Sequence, residues 1–134
     1  MNRNEILDQL RPEVNFETTH SSSLHEFQDK TLRPILKFQH KTIIAIYHEY
    51  INSGNILLTG KSIVQRNNLI EQHVKKNLAL QSLLKGVVIA LFNEKEIIFW
   101  INNKTDLNKR IQTLLIKRIQ NSFEEKIEAV GTNK

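Results

Sequence analysis

Residues 80–91 carry apolar side chains at the spacing of one helix face. The positions are Leu80, Leu83, Leu84, Val87, Val88 and Leu91. This i, i+3, i+4, i+7 pattern continues over successive turns and predicts a helix over residues 78–92. We therefore expect the hydrophobic core to be built from packed helices.

The next apolar run follows a helix-start signal. Asn93 precedes it and Glu96 lies three residues later, which is the spacing of a capping box. Residues 97–101 are apolar on every side, so a short helix here is expected to be deeply buried. One alternative stays open. Both runs are rich in β-branched and aromatic residues, so residues 86–101 could instead form a β-hairpin in an α+β fold.

The whole chain is predicted to form an all-α, single-domain bundle of about five helices. Four glycines and two prolines in 134 residues leave room for long helices. The first long helix is expected to kink or restart near Pro34, and Gly54 is expected to end it in a left-handed conformation. The predicted organisation is a flexible acidic leader over residues 1–22, a helical domain over 23–130 and a frayed tail over 131–134.

Composition narrows the possible chemistry. The absence of cysteine excludes disulfides, thiolate catalysis and zinc sites with sulfur ligands. None of the five histidines stands three or four residues from another, which is the usual spacing of metal ligands on a helix. No catalytic residue, metal ligand or cofactor is therefore predicted. No run is apolar and long enough for a signal peptide or a membrane span, so we expect a soluble cytoplasmic protein with no membrane partner.

Positive charge is concentrated after the leader. The net charge is +5, yet residues 1–29 hold two basic and six acidic residues. Two rows of cations on predicted helices suit the phosphates of a nucleic acid or another polyanion. Their members are Lys30, Arg33, Lys37, Lys41, Lys109, Arg110, Lys117 and Arg118. The alternative is that both rows are merely the solvated sides of amphipathic helices.

Apolar residues exceed what one narrow stripe per helix requires. The surplus comprises residues 97–101 together with Ile116, Ile127 and Val130. A second apolar side on a helix is often buried against a partner chain. A homodimer is therefore an open alternative to a monomer.

Three blocks of the sequence resemble a known family. They are FQDKTLRPILKFQH (residues 27–40), LKGVVIALFNEKEI (84–97) and TDLNKRI (105–111). Over about residues 24–123 the chain resembles a family of short, uncharacterised flavobacterial proteins that often carry the label "glyoxalase". The resemblance implies a helical fold, a capped helix after the glycine-containing one and a bacterial cytoplasmic origin. The polar residues that match its blocks are Arg33, Asn108, Lys109 and Arg110.

The label itself is not taken as an activity. The enzymes to which this label refers are built from paired βαβββ units, with His and Glu metal ligands on the strands. The pattern in this chain is helical and offers no such framework. The favoured function is a non-enzymatic interaction or regulatory module, with a homodimer as one form. The first alternative is nucleic-acid or polyanion binding through the two cation rows. The second is an enzyme of unrecognised type, prompted by the label alone.

Overall fold

Helices make up the regular structure in the part of the chain that the computed structural model describes, residues 2–11 and 23–132, with side chains as far as residue 124. The elements are α1 (Arg3–Leu10), α2 (Ser23–Phe27), a π-helical segment (Gln28–Leu32), α3 (Arg33–Phe38), α4 (His40–Ser53), α5 (Ile63–Lys76), α6 (Leu78–Ile89), α7 (Glu94–Asn102) and α8 (Lys104–Thr132). The prediction of an all-α fold is confirmed. The segments outnumber the five or so expected, because the first long helix is divided and because the expected leader contains a helix, α1.

The hairpin alternative is wrong, because both of its strands are helices. Residues 86–89 complete α6 and residues 94–101 belong to α7. The predicted capping box is present at the start of α7. The Asn93 side chain accepts a hydrogen bond from the Glu96 N–H at 2.9 Å, and the Glu96 carboxylate accepts one from the Asn93 N–H at 2.9 Å. These bonds satisfy two N–H groups that a helix start leaves without partners.

The expectation that residues 97–101 are deeply buried is also wrong. None of the residues of α7 falls in the buried class, and Ile98 and Ile101 keep 60% and 55% of their surface exposed. One side of α7 packs inward: Phe99 stacks on Phe27 with ring centroids 4.9 Å apart. The other side faces away from the core, because α7 lies on the surface of the bundle and is not enclosed by it.

The π-helical segment lies immediately before Pro34. The Arg33 N–H donates to the Gln28 carbonyl, five residues back. Proline has no N–H and its ring crowds the carbonyl four residues earlier, so a regular α-helix could not run through this position. The backbone stays helical through Leu32 and Arg33 into α3, which has Pro34 in its first turn and no capping side chain at its start. The first long helix is therefore irregular near Pro34, but no newly capped helix begins there. A second interruption follows at Gln39, where φ is −91° and ψ is 6°.

The left-handed residue at the end of α4 is Asn55, with φ of 52°, and not Gly54 as predicted. The Ile56 N–H donates to the Ile51 carbonyl at 2.9 Å, and the Asn55 N–H donates to the Asn52 carbonyl at 3.2 Å. These two bonds define a Schellman motif, in which the residue after the C-cap takes the left-handed conformation. Gly54 is the C-cap, one position before it.

The centre of the hydrophobic core is one side of α8. Leu107, Ile111, Leu115 and Ile119 have no exposed surface. The helices α4, α5 and α6 pack against α8. Their fully buried contributions are Ile43, Tyr47, Ile70, Val74, Leu84 and Val88. Full burial of one such aliphatic side chain contributes about 1.5–3 kcal/mol, so this layer is the main source of stability.

The start of the expected leader is placed against the helical body. Arg3 donates to the carbonyls of Phe92 and Ala90, each at 2.9 Å, and Leu7 is buried. Residues 12–22, which complete the expected leader, lie outside the described residues. At the other end α8 continues to Thr132, and only residues 133–134 of the expected tail lie outside them.

The carboxylate of Glu96 joins three parts of the chain. It accepts hydrogen bonds from Arg11 at 2.6 Å and from the Thr31 hydroxyl at 2.8 Å, besides its bond to the N–H of Asn93. Burial raises the pKa of the Glu96 carboxyl, but these bonds and the Arg11 charge outweigh burial and hold the pKa below its ordinary value. The charge of Glu96 therefore ties α1, the π-helical segment and α7 together.

We expect Glu96→Gln to lower the free energy of unfolding by about 2–4 kcal/mol, because it leaves the buried Arg11 guanidinium without its counter-charge. Urea denaturation at neutral pH measures the change. The matched control is Glu94→Gln, in the exposed first turn of the same helix. Equal effects of the two substitutions would contradict the role of Glu96.

A polar pair is built into the core between α4 and α5. The hydroxyl of the fully buried Tyr47 lies 2.8 Å from Nδ1 of His73. Burial raises the pKa of Tyr47 above its ordinary range, so the phenol stays neutral. Burial also lowers the pKa of His73 below its ordinary value of 6.5. Both groups are therefore held in their uncharged forms by the same packing.

The His73 pKa implies that stability depends on pH in one direction. The unfolded chain takes up the His73 proton near pH 6.5, whereas the folded protein takes it up only at lower pH. The contribution of neutral His73 to the free energy of unfolding is thus fully present above pH 6.5 and is lost as the pH falls below that value. We expect His73→Gln to reduce the pH dependence of the unfolding free energy in urea titrations across this range. An unchanged dependence would contradict the assignment.

None of the helices in the described ranges combines the length and the apolar composition that a bilayer crossing requires.

Candidate functional site

Two adjoining cavities lie between α3 and α8. The first, of about 280 Å³, is lined by Arg33, Leu36, His40, Leu114, Lys117, Arg118 and Asn121. The second, of about 230 Å³, is lined by Gln28, Arg33, Lys109, Arg110, Thr113, Leu114 and Lys117. Because Arg33, Leu114 and Lys117 line both, we treat the two cavities as one surface, the α3–α8 groove.

Helix geometry explains why these side chains meet. The α8 positions 110, 113, 114, 117, 118 and 121 follow the i, i+3, i+4, i+7 spacing of one helix face. On the other wall, Arg33 and Leu36 lie three residues apart on α3, and His40 is the first residue of α4, just after the interruption at Gln39. Leu36 is buried and Leu114 is partly buried against the core. Apolar contacts thus hold the two walls side by side, and the polar residues next to these contacts face each other.

Hydrogen bonds fix the three arginines of the groove. The Arg33 Nε donates to the Asp29 carboxylate at 3.0 Å, and Arg110 Nη1 donates to the Gln28 side chain at 3.0 Å. Arg118 Nη1 lies 3.1 Å from Nδ1 of His40. Gln28 and Asp29 belong to the π-helical segment, so this segment positions two of the three guanidinium groups. The remaining N–H donors of the Arg33 and Arg110 guanidinium groups can then bind an anion.

The groove concentrates positive charge. Five of its lining residues are cations, namely Arg33, Lys109, Arg110, Lys117 and Arg118. No aspartate or glutamate occurs among the described residues that line it. Among the described residues, Asp29 is the carboxylate that accepts a hydrogen bond from a groove cation. It is buried, and its Oδ2 also lies 3.2 Å from Nε2 of His25. A cluster of cations of this kind attracts anionic ligands.

The structure divides the first predicted cation row. Arg33 lies in the groove, but Lys30 forms an ion pair with Glu26 at 2.7 Å, outside both cavities. Lys37 is exposed and lines neither cavity, and Lys41 lines a different surface between α4 and α6. The π-helical segment and the interruption at Gln39 each rotate the residues after them relative to a regular α-helix. The helical phase thus changes before Arg33 and again between Lys37 and Lys41, so the four residues of this row do not share one face.

The second predicted row is kept together. Lys109, Arg110, Lys117 and Arg118 all line the groove. Among the family-matching polar residues, Arg33, Lys109 and Arg110 belong to it. Asn108 does not: it accepts a hydrogen bond from the Trp100 indole N–H at 2.9 Å and so links α7 to α8.

Sequence reasoning missed several polar residues of the site. They are Gln28, Asp29, His40, Thr113 and Asn121. The two missed residues of α8 could have been found from the sequence, because Thr113 and Asn121 each lie four residues from Lys117 and so share its helix face. The residues of α3 and the π-helical segment carried no comparable signal, since their placement depends on how the chain passes Pro34.

A larger and more apolar surface lies between α4 and α6. This α4–α6 groove, of about 700 Å³, is lined by Lys41, Thr42, Ala45, Ile46, Glu49, Tyr50, Asn77, Ala79, Leu80 and Leu83. Among the side chains of residues 2–11 and 23–124, no three histidine or acidic groups are placed so as to hold a metal ion. The α3–α8 groove is therefore a basic surface, and the α4–α6 groove is a separate, mainly apolar one.

No family model, curated protein or solved structure matches the chain. The resemblance of residues 24–123 to the flavobacterial family therefore stays a prediction.

Proposed function

We propose that the protein is a non-enzymatic binding module that holds the phosphate backbone of double-stranded nucleic acid in the α3–α8 groove. The observation that carries the proposal is the convergence of five cations from two helices on a groove whose described lining contains no carboxylate. Phosphate contacts of this kind supply most of the affinity of non-specific nucleic-acid binding. The proposal takes up the interaction module predicted from the sequence and gives it a ligand.

The shape and donor types of the groove suit a row of phosphates. Residues 109–118 of α8 extend over about 13 Å at the helical rise per residue, a length along which a duplex presents several phosphates. Arginine offers a planar fork of donors that matches phosphate oxygens, and lysine adds a mobile point charge. Fixed arginines with exposed lysines beside them are the combination expected at a backbone-binding surface.

The composition of the groove argues for binding without base selectivity. The described lining contains no Phe, Tyr or Trp on which an unpaired base could stack. Stacking platforms are the usual means of binding single strands, so the duplex is the better ligand. Contacts to phosphates alone position a protein on a duplex but do not read its sequence.

The first test is neutralisation of Lys117, which lines both cavities and is exposed. We expect Lys117→Gln to weaken binding of a labelled DNA duplex about three- to tenfold at low salt. We also expect it to reduce the slope of log K against log salt concentration by about one, the value for one lost phosphate contact. Fluorescence anisotropy over a salt series measures both quantities.

The matched control is Lys76→Gln, at the exposed end of α5 and outside both cavities. It removes the same charge and should leave the salt slope unchanged. Wild-type protein that does not bind the duplex at low salt would overturn the proposal. Equal effects of the two substitutions would show that net charge, and not the groove, controls binding.

The second test removes the carboxylate that partly neutralises the groove. Asp29→Asn keeps the shape of the side chain but frees Arg33 from its counter-charge. We expect the duplex to bind about two- to fivefold more tightly at low salt, because the negative charge of Asp29 no longer offsets the attraction between Arg33 and the phosphates. The same anisotropy assay applies.

The control is Glu26→Gln, which frees Lys30, a cation outside both cavities. It adds the same unit of positive charge and should change affinity less than Asp29→Asn does. An Asp29→Asn protein that binds the duplex more weakly than wild type would contradict the expected role of Arg33.

A further inference from the structure

The α4–α6 groove is an apolar surface that the proposed function does not use. It shares no lining residue with the α3–α8 groove. Leu83 lines it and keeps 55% of its surface exposed, and Ala45 and Ala79 beside it are also exposed. Open apolar surfaces of this kind mark sites where another molecule packs.

The charges at the two ends of this surface are self-complementary. Lys41 and Glu49 both line the groove, and each is four residues from Ala45 along α4. The three residues share one face of the helix, with the lysine one turn before the alanine and the glutamate one turn after it. A helix with this pattern matches a second copy of itself that runs antiparallel.

We infer that the α4–α6 groove is the interface of a symmetric homodimer, in which α4 of two copies cross antiparallel near Ala45. In this arrangement Lys41 of each copy faces Glu49 of the other, so two equivalent ion pairs form about a two-fold axis. The small side chain at position 45 lets the two helix axes approach closely. Leu83 of each copy then leaves water and packs against the other copy.

The size of the surface sets the strength of association. Ten residues line the groove, whereas a stable interface of standard size uses about 20–30 residues a side. The dimer is therefore expected to form reversibly, with a dissociation constant in the micromolar range. Its formation does not depend on nucleic acid, and its failure would leave the proposed function of the α3–α8 groove untouched.

Charge reversal at the ends of α4 tests both the surface and the direction of the helices. Lys41→Glu and Glu49→Lys each turn two attractive pairs into repulsive ones, and each should raise the dissociation constant at least about tenfold. The double substitution restores opposite charges across the axis and should return the dissociation constant close to the wild-type value. Both side chains are exposed, and Lys41→Glu places a negative charge in the first turn of α4, where the helix dipole favours it, so we expect the fold to be preserved.

Sedimentation equilibrium from about 1 µM to about 1 mM measures these constants. The wild-type mass should rise from the monomer value of 15.7 kDa towards twice that value. Leu83→Asp should abolish the rise, and Lys76→Glu, a charge reversal away from the groove, should leave it unchanged. Recovery of the dimer by the double substitution would show that Lys41 and Glu49 pair across the axis. Loss of exposed charges at these positions in itself would not produce this recovery.

Three results would overturn the inference. The first is a wild-type protein that stays at the monomer mass over the whole range. The second is a double substitution that dimerises as weakly as either single one. The third is a monomeric protein that binds the apolar dye 8-anilinonaphthalene-1-sulfonate and loses it on Leu83→Asp, which would assign the groove to a small apolar ligand.

Discussion

Burial of one side of α8 is the constraint on which the other features depend. Leu107, Ile111, Leu115 and Ile119 have no contact with solvent, and α4, α5 and α6 pack around them. Once these residues face the core, the rotation of α8 about its axis is fixed. Its cations must then emerge along the seam with α3, where they form the α3–α8 groove. The site is thus a consequence of how the core is filled.

A second constraint acts where the chain passes Pro34. The missing proline N–H is accommodated by the π-helical segment, and that segment supplies Gln28 and Asp29 to the arginines of the groove. Thr31, in the same segment, donates to Glu96, which also holds Arg11 and the start of α7. A single irregular stretch therefore links the N-terminal helix, α7 and the basic groove.

The two surfaces suit different kinds of ligand, because their residues differ in kind. The α3–α8 groove presents anchored guanidinium groups and exposed ammonium groups, which gain little from apolar contact but attract phosphates. The α4–α6 groove presents leucine and alanine between one cation and one anion, which suits a surface of the same composition in reverse order. A dimer built on the second groove would leave the first accessible on each copy.

Periodicity in the sequence favoured the all-α class over the hairpin alternative, and it predicted the capped start of α7 and a helix over residues 78–92, of which α6 forms residues 78–89. Each of these depends on residues near one another in the chain, whose side-chain spacing and backbone hydrogen bonds are local. The exposure of Ile98 and Ile101 and the division of the row from Lys30 to Lys41 were decided only by the tertiary structure. Burial depends on which distant helices cover a face, and a change of helical phase at Pro34 or Gln39 redirects every later side chain of the same helix.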